Sequence, residues 1–177
     1  LKLGGKSPNI VFEDADFEWA VMGVISGIFA ATGQTCIVGS RLLVQRSIHD
    51  RFVERLIEVA KEAKIGDPMS TETHVGPVTT PTQYRKILDY IEVARKEGAK
   101  CVLGGKPYAG DGVRSDRFVE PTIFTGVSNQ MRIAQEEIFG PVLSVIPFED
   151  EDEAIAIGND IVFGLAAGVW TLSLIHI

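Results

Sequence analysis

The sequence predicts an α/β protein built on a parallel sheet, and three observations carry that prediction. Short apolar runs alternate with amphipathic stretches of roughly 10–15 residues, the pattern of successive strand–helix–strand units. Glycine, proline and aspartate fall between these runs, where turns and helix caps are needed. The 177 residues, 45% apolar and 23% charged, suffice for one core of ordinary size and are too apolar for a disordered chain.

Each element follows in order. Gly4, Gly5 and Pro8 mark a loop, and Asn9-Ile10-Val11-Phe12 reads as a strand. Asp14 or Asp16 caps a helix through Trp19, Val21, Met22, Val24, Ile25, Ile28 and Phe29, apolar on nearly all sides and so expected to be buried, ending near Gly33. Arg41 to Gln45 reads as a buried strand. Ser47 with Asp50 starts an amphipathic helix whose apolar face is Phe52, Val53, Leu56, Ile57 and Ala60, and Gly66-Asp67-Pro68 stops it. Pro81 opens the next helix, with Tyr84, Ile87, Leu88, Ile91 and Ala94 at helical spacing and Gly98 behind its end. Cys101-Val102-Leu103 is a strand closed by Gly104-Gly105, and Lys106 to Asp116 a polar surface loop. Val119–Phe124 and Val142–Phe148 read as two more strands, with a short helix around Met131 to Glu136 between them. Asp150-Glu151-Asp152 places negative charge where a helix dipole favours it, at the start of a helix through Ala154, Ile155 and Ile157. Leu165 to Trp170 is a last apolar strand.

The charge balance excludes several roles. Seventeen basic and 24 acidic residues give a net charge of −7 without any basic block, which argues against nucleic acid or an anionic membrane as partner. The longest apolar stretch, Ala20 to Ala31, is interrupted by Gly23, Ser26 and Gly27 and falls short of the roughly 20 residues of a membrane span. No signal peptide opens the chain, and the two cysteines, Cys36 and Cys101, show neither metal-ligand spacing nor a disulfide framework, so a cytoplasmic protein with no metal site is expected. Leu1 begins in mid-pattern and the tail from residue 172 to 177 has no capping chemistry; both ends are expected to be cut.

Three short stretches carry candidate chemistry. Cys36 follows a glycine turn after a buried helix, a place from which a thiolate can reach a cleft, although an isolated cysteine in apolar surroundings is most often a small core residue. Cys101, inside a strand pattern, reads as core. Leu3-Gly4-Gly5-Lys6-Ser7-Pro8-Asn9 lacks the spacing of a phosphate loop and suits a tight turn. Glu136-Glu137-Ile138-Phe139-Gly140-Pro141 sets two carboxylates before a turn; a carboxylate there can accept from a ribose diol or stand solvated in a loop.

Taken in order, LGGKSPNIVF, GQTC with Gly39-Ser40-Arg41 behind it, EEIFGPV and Phe163-Gly164-Leu165-Ala166-Ala167 resemble the aldehyde dehydrogenase superfamily. The resemblance covers Leu1 to about Thr171, so residues 1–171 are expected to be part of the catalytic domain and 172–177 an atypical tail. It implies a Rossmann-like α/β catalytic domain, truncated at both ends, that uses NAD or NADP. It also implies a mechanism in which the cysteine attacks the aldehyde carbon, a backbone amide and an asparagine hold the oxyanion, hydride passes to nicotinamide, and water assisted by a glutamate hydrolyses the thioester. By this resemblance Cys36 is the nucleophile, Glu137 holds the nicotinamide ribose, Phe139 is the aromatic beside it and Lys86 lies near the same ribose. The parent protein is expected to be a dimer or tetramer acting on a small aldehyde.

One position departs from the family. Where Glu-Leu-Gly-Gly-Lys carries the general base, this chain has Lys2, 34 residues before Cys36 and so in register with the family spacing. A lysine is cationic at neutral pH unless burial lowers its pKa, so it favours a thiolate but does not activate water. Lys2 is compatible with a CoA-acylating relative, in which a thiol removes the acyl group, and with a non-catalytic member of the family. A Cys–His hydrolase fits less well, because His49 stands at a helix start and His74 in a polar loop.

Overall fold

The computed structural model describes residues 3–110, 113 and 116–174; Lys2 and the end of the tail lie outside them. Six strands form one sheet in the order β3-β4-β5-β2-β1-β6, where β1 is Pro8–Val11, β2 Arg41–Gln45, β3 Lys100–Leu103, β4 Thr122–Thr125, β5 Val142–Phe148 and β6 Gly168–Trp170. Every pairing is parallel except that of β3 with β4. The helices are α1 (Phe17–Phe29), α2 (His49–Lys61), α3 (Pro81–Lys96), the single turn α4 (Arg132–Gln135) and α5 (Glu151–Asn159).

The central strand shows why its sequence is apolar without alternation. Leu42 and Val44 pack with Val24, Ile28, Phe52 and Leu56 of α1 and α2 on one face, while Leu43 packs with Ile87, Ile91 and Ala154 of α3 and α5 on the other. Both faces are covered, as a parallel sheet requires, and Leu42, Leu43 and Val44 are all fully buried. Each such side chain contributes roughly 1.5–3 kcal/mol on leaving water.

The helix ends follow their local chemistry. Asp16 accepts from the Trp19 amide at 3.1 Å to cap α1, Thr80 from Gln83 at 3.1 Å to cap α3, and Asp150 from Glu153 at 2.9 Å to cap α5. Gly98, at φ +94°, leads from the end of α3 into β3.

Five expectations need correction. The sheet is not wholly parallel: the loop between β3 and β4 holds no crossover helix, so β3 returns antiparallel on the sheet edge. Ser47 does not cap α2; its hydroxyl donates to Glu13 at 2.6 Å, and a 3-10 turn over Arg46–Ile48 precedes the helix. α1 is not buried all round, since Trp19 and Met22 are exposed. Val119 makes only an isolated bridge to Pro107, and β4 begins at Thr122. The last strand is shorter than its apolar run, because residues 163–167 form the loop that crosses the start of β1.

Candidate active site

The expected site residues sit on the turns that lead into strands: Gly4 and Gly5 before β1, Cys36 before β2, Glu137 and Phe139 before β5, and Phe163 before β6. These four strands are adjacent and parallel, so the turns gather along one rim of the sheet, that of the strand amino ends. Open α/β sheets more commonly bind ligands at the opposite rim.

The glycine pair joins the two candidate loops. The Gly5 amide donates to Glu137 Oε1 at 3.1 Å. A Cβ on Gly5 would lie 2.2 Å from the Cys36 carbonyl oxygen, so only glycine lets these backbones touch. A Cβ on Gly4 would stand 3.1 Å from Glu137 Oε2 and 3.2 Å from the Phe163 ring, and Leu165 closes on Gly5 from the same side. Cys36 is half-buried.

The segment before Cys36 is strained. After α1 the chain passes through three left-handed residues, Ala31, Thr32 and Gly33, at φ 49°, 57° and 66°. Ala31 and Thr32 each cost roughly 1–2 kcal/mol in this conformation, and a β-branched residue there is rare. External bonds hold them: Thr32 Oγ1 donates to the Gly76 carbonyl at 3.1 Å, and Gln34 bonds Pro77 and Thr79. Gly33 lies against Gly140, whose carbonyl oxygen would be 2.2 Å from an added Cβ, so the thiol loop also rests on the turn after Glu137. That turn contains the third non-glycine residue with positive φ among those described, Phe139 at 61°.

Lys6 and Arg41 lie behind the rim. Arg41 is fully buried and donates to the Lys6 carbonyl, Asn129 Oδ1 and the Ile157 and Gly158 carbonyls at 2.9–3.0 Å. Burial lowers its pKa from the ordinary value, and Asp160 opposes the shift. Lys6 is 2% exposed, and its Nζ has no hydrogen-bond partner among the described residues. Burial first, then the Arg41 charge, lower its pKa from 10.5 to about 7, against the pull of Glu137 and Glu136. It lines a cleft of about 410 Å³ with Ser7, Ile10, Ala154 and Phe163.

Lys86 is half-buried on α3, and its charge acts on both Glu136 and buried Lys6. Its ammonium lies 5.7 Å from the Tyr90 ring centroid, one helical turn on, and Arg132 sits over the same ring at 5.5 Å. Tyr90 donates to Glu136, and Arg132 grips that carboxylate at 2.7 and 2.9 Å. The Arg132 and Tyr90 hydrogen bonds lower the Glu136 pKa from 4.5 to about 2, with Lys86 adding its charge. Adjacent glutamates therefore face different partners: Glu136 is clamped on the outside, and Glu137 meets the glycine pair. Cys101, at the sheet edge, packs against the core with its sulfur 3.3 Å from the Leu103 carbonyl. His49 pairs with Asp50 at 2.8 Å, and His74 accepts from the Lys64 amide at 3.0 Å. Among the described residues no group of His, Cys, Asp and Glu could hold a metal, and no helix is long and apolar enough to cross a membrane.

The profile of the aldehyde dehydrogenase family matches residues 1–177. The chain belongs to the aldehyde dehydrogenase family. Betaine aldehyde dehydrogenase of Mesorhizobium japonicum is 52% identical over 174 residues, which cover 98% of this chain and 36% of that protein. The protein of the same name from Brucella anthropi is 50% identical with the same coverage. Among solved structures, betaine aldehyde dehydrogenase of Staphylococcus aureus in complex with NAD+ superposes with a TM-score of 0.96 at 45% identity, covering 98% of this chain and 35% of that one. An indole-3-acetaldehyde dehydrogenase in complex with NAD+ gives 0.93 at 49% identity and the same coverage. This aldehyde dehydrogenase chain thus spans about a third of the length of the relatives it matches.

The structure brings Cys36 and Glu137 to one glycine pair, sets Phe139 in the turn beyond, and puts the Lys86 charge within reach of Glu136 and Lys6. Phe163 and Leu165 belong to a motif quoted for the aldehyde dehydrogenase resemblance, but only contact shows that they flank the glycines. Gln34 stands inside the GQTC motif but no role was read for its side chain, and Gln83, in the first turn of α3, carried no signal, because an amide side chain on a helix reads as ordinary surface.

Proposed function

We propose that the protein containing this chain oxidises an aldehyde to a carboxylic acid with NAD or NADP, with Cys36 as nucleophile. The observation that carries the reading is the contact of Gly5 with both loops: its amide holds the Glu137 carboxylate, and its bare α-carbon admits the Cys36 backbone. A group held by Glu137 is thereby set beside the thiol. Two solved relatives are NAD+ complexes, which supports a dinucleotide. A carboxylate oriented by a backbone amide suits a ribose diol, which offers two hydroxyl donors.

In this reading the Cys36 thiolate forms a bond to the aldehyde carbon, and the carbonyl oxygen takes the negative charge. As that oxygen re-forms its double bond, the carbon releases its hydride and becomes a thioester. Bound NAD or NADP supplies the acceptor for that hydride. Water then cleaves the S–C bond, giving the carboxylic acid and the free thiol. Glu137 fixes the ribose, Phe139 packs beside it, and Lys86 lies near the same ribose.

Lys2 stands where the family has its base, and a lysine of pKa roughly 10.4 does not take a proton from water at pH 7. The last step is therefore expected to be slow. In the full-length enzyme, Cys36→Ser should abolish NADH formation, and Glu137→Gln should raise the KM for NAD at least tenfold. Mass spectrometry after mixing with aldehyde and NAD should find an acyl group on Cys36. Full activity in Cys36→Ser would overturn the assignment, steady turnover without a burst would overturn the slow step, and acyl-CoA release on adding CoA would assign the thiol-acylating branch. Relatives of similar identity carry two different aldehydes in their names, so the proposal stops at the aldehyde class. The reading also places the protein in the cytoplasm as a dimer or tetramer. The exposed Trp19, Met22 and Val169 suit surfaces that further chain or a second subunit covers.

A further inference from the structure

Two glutamines tie the thiol loop and the carboxylate loop to the same short stretch of chain. Gln34, two residues before Cys36, uses both ends of its amide: Oε1 accepts from the Thr79 amide at 3.0 Å and the Thr79 hydroxyl at 2.9 Å, while Nε2 donates to Pro77 at 3.4 Å and Ala31 at 3.5 Å. Four positions further along from Thr79, in the first turn of α3, Gln83 Nε2 donates to the Ile138 carbonyl at 2.7 Å and the Phe139 carbonyl at 2.9 Å. Thr79 and Gln83 are joined through the Thr80 cap, which accepts from the Gln83 amide. Both loops contain left-handed, non-glycine residues, Ala31 and Thr32 in one and Phe139 in the other, so each holds its shape only under outside restraint.

The direction of α3 makes this arrangement available. α1, α2 and α5 each follow a parallel strand and begin at the far rim of the sheet, whereas α3 leads into the antiparallel β3 and begins at the rim that carries the site. We propose that Gln34 and Gln83 are positioning residues that set the Cys36 thiol and the Glu137 carboxylate at a fixed mutual placement by hanging both loops from the amino end of α3. The inference rests on the roles proposed above for Cys36 and Glu137. Neither glutamine touches reacting atoms in this scheme. Gln34 governs where the thiol stands, and Gln83 governs where the ribose-binding carboxylate stands.

The test uses the full-length enzyme with Gln34→Ala, Gln34→Glu, Thr79→Val, Gln83→Ala and the double variant Gln34→Ala with Gln83→Ala. Three readouts are taken: the rate at which iodoacetamide alkylates Cys36 across pH, the Kd for NAD, and the melting temperature. A displacement near 1 Å at a reacting group costs up to about a hundredfold in rate. Gln34→Ala is expected to change the alkylation rate and lower kcat by about tenfold, with NAD affinity kept within twofold. Gln83→Ala is expected to weaken NAD by about tenfold and leave alkylation of the free enzyme near the wild-type rate. Gln34→Glu keeps the acceptor end and should recover part of the loss, Thr79→Val should reproduce part of it, and the double variant should show both defects together. Wild-type alkylation in Gln34→Ala would overturn the proposal. So would loss of alkylation and NAD binding together, in both single variants, in step with melting temperature. Alkylation and binding need no turnover, so a wild-type enzyme that binds NAD but reduces none with any aldehyde would sink the proposed function separately.

Discussion

Arg41 is fully buried and donates to four oxygens on three separate parts of the chain. Two of these, the Ile157 and Gly158 carbonyls, are last-turn acceptors of α5, where a cation also meets the negative end of the helix. Arg41→Leu would leave two buried and two partly buried oxygens without this donor, and the expected loss is about 3 kcal/mol, read as a lowered urea midpoint. Arg41→Lys should recover only part, because a single ammonium cannot reproduce a planar fork. The sequence placed Arg41 at the start of a strand read as buried but offered no sign of what satisfies its charge there, since its partners are three backbone carbonyls and the Asn129 side chain, most of them distant along the chain. Cys36 was singled out for the opposite reason: its glycine turn and the GQTC motif are contiguous in sequence, although residues 76–79 and Gly140, distant along the chain, hold that turn.

At the level of elements, α1 and β6 show how one missing side chain joins two pieces. A Cβ on Gly23 would lie 2.0 Å from the Trp170 ring, whose Nε1 donates to buried Asn9 at 2.8 Å. Alanine is favoured over glycine in a helix by up to about 1 kcal/mol, yet Gly23→Ala is expected to destabilise, because the indole must leave its seat and Asn9 loses its donor. A red shift in tryptophan emission, larger than exposed Trp19 alone accounts for, would report the displaced ring. The Glu136 clamp gives a second expectation. Its folded pKa of about 2 lies below the ordinary 4.5, so its contribution is complete above pH 4.5 and is lost as pH falls towards 2. Arg132→Ala should remove that acid sensitivity, and because these groups are partly exposed the effect should weaken in high salt. Strand and helix positions were mostly readable from apolar spacing. The reversal of β3 was not, because spacing encodes which face is buried and carries no direction; the glycine-rich loop lacking a crossover helix was its one trace.

On the scale of the whole molecule, Lys6 links the site to pH. The unfolded chain holds that proton up to about pH 10.5, and the folded chain releases it near pH 7. Between these values the unfolded state binds more protons, so stability should rise with pH through this window and be lowest below it, where folding must bury a charge. Lys6→Met should flatten the rise in urea midpoint between pH 7 and 9. The rim that carries the site has a second global property: α1, α2 and α5 all end towards it and present carbonyl oxygens, the wrong polarity for phosphates. The donors that a dinucleotide pyrophosphate needs must come largely from outside these helices. The absence of any side chain at Gly4 and Gly5 leaves one more mark. Between the Cys36 backbone and the Glu137 carboxylate stands nothing but main chain, whose thickness does not evolve. The surrounding walls are then at liberty to be recast while the spacing of these two loops stays the same.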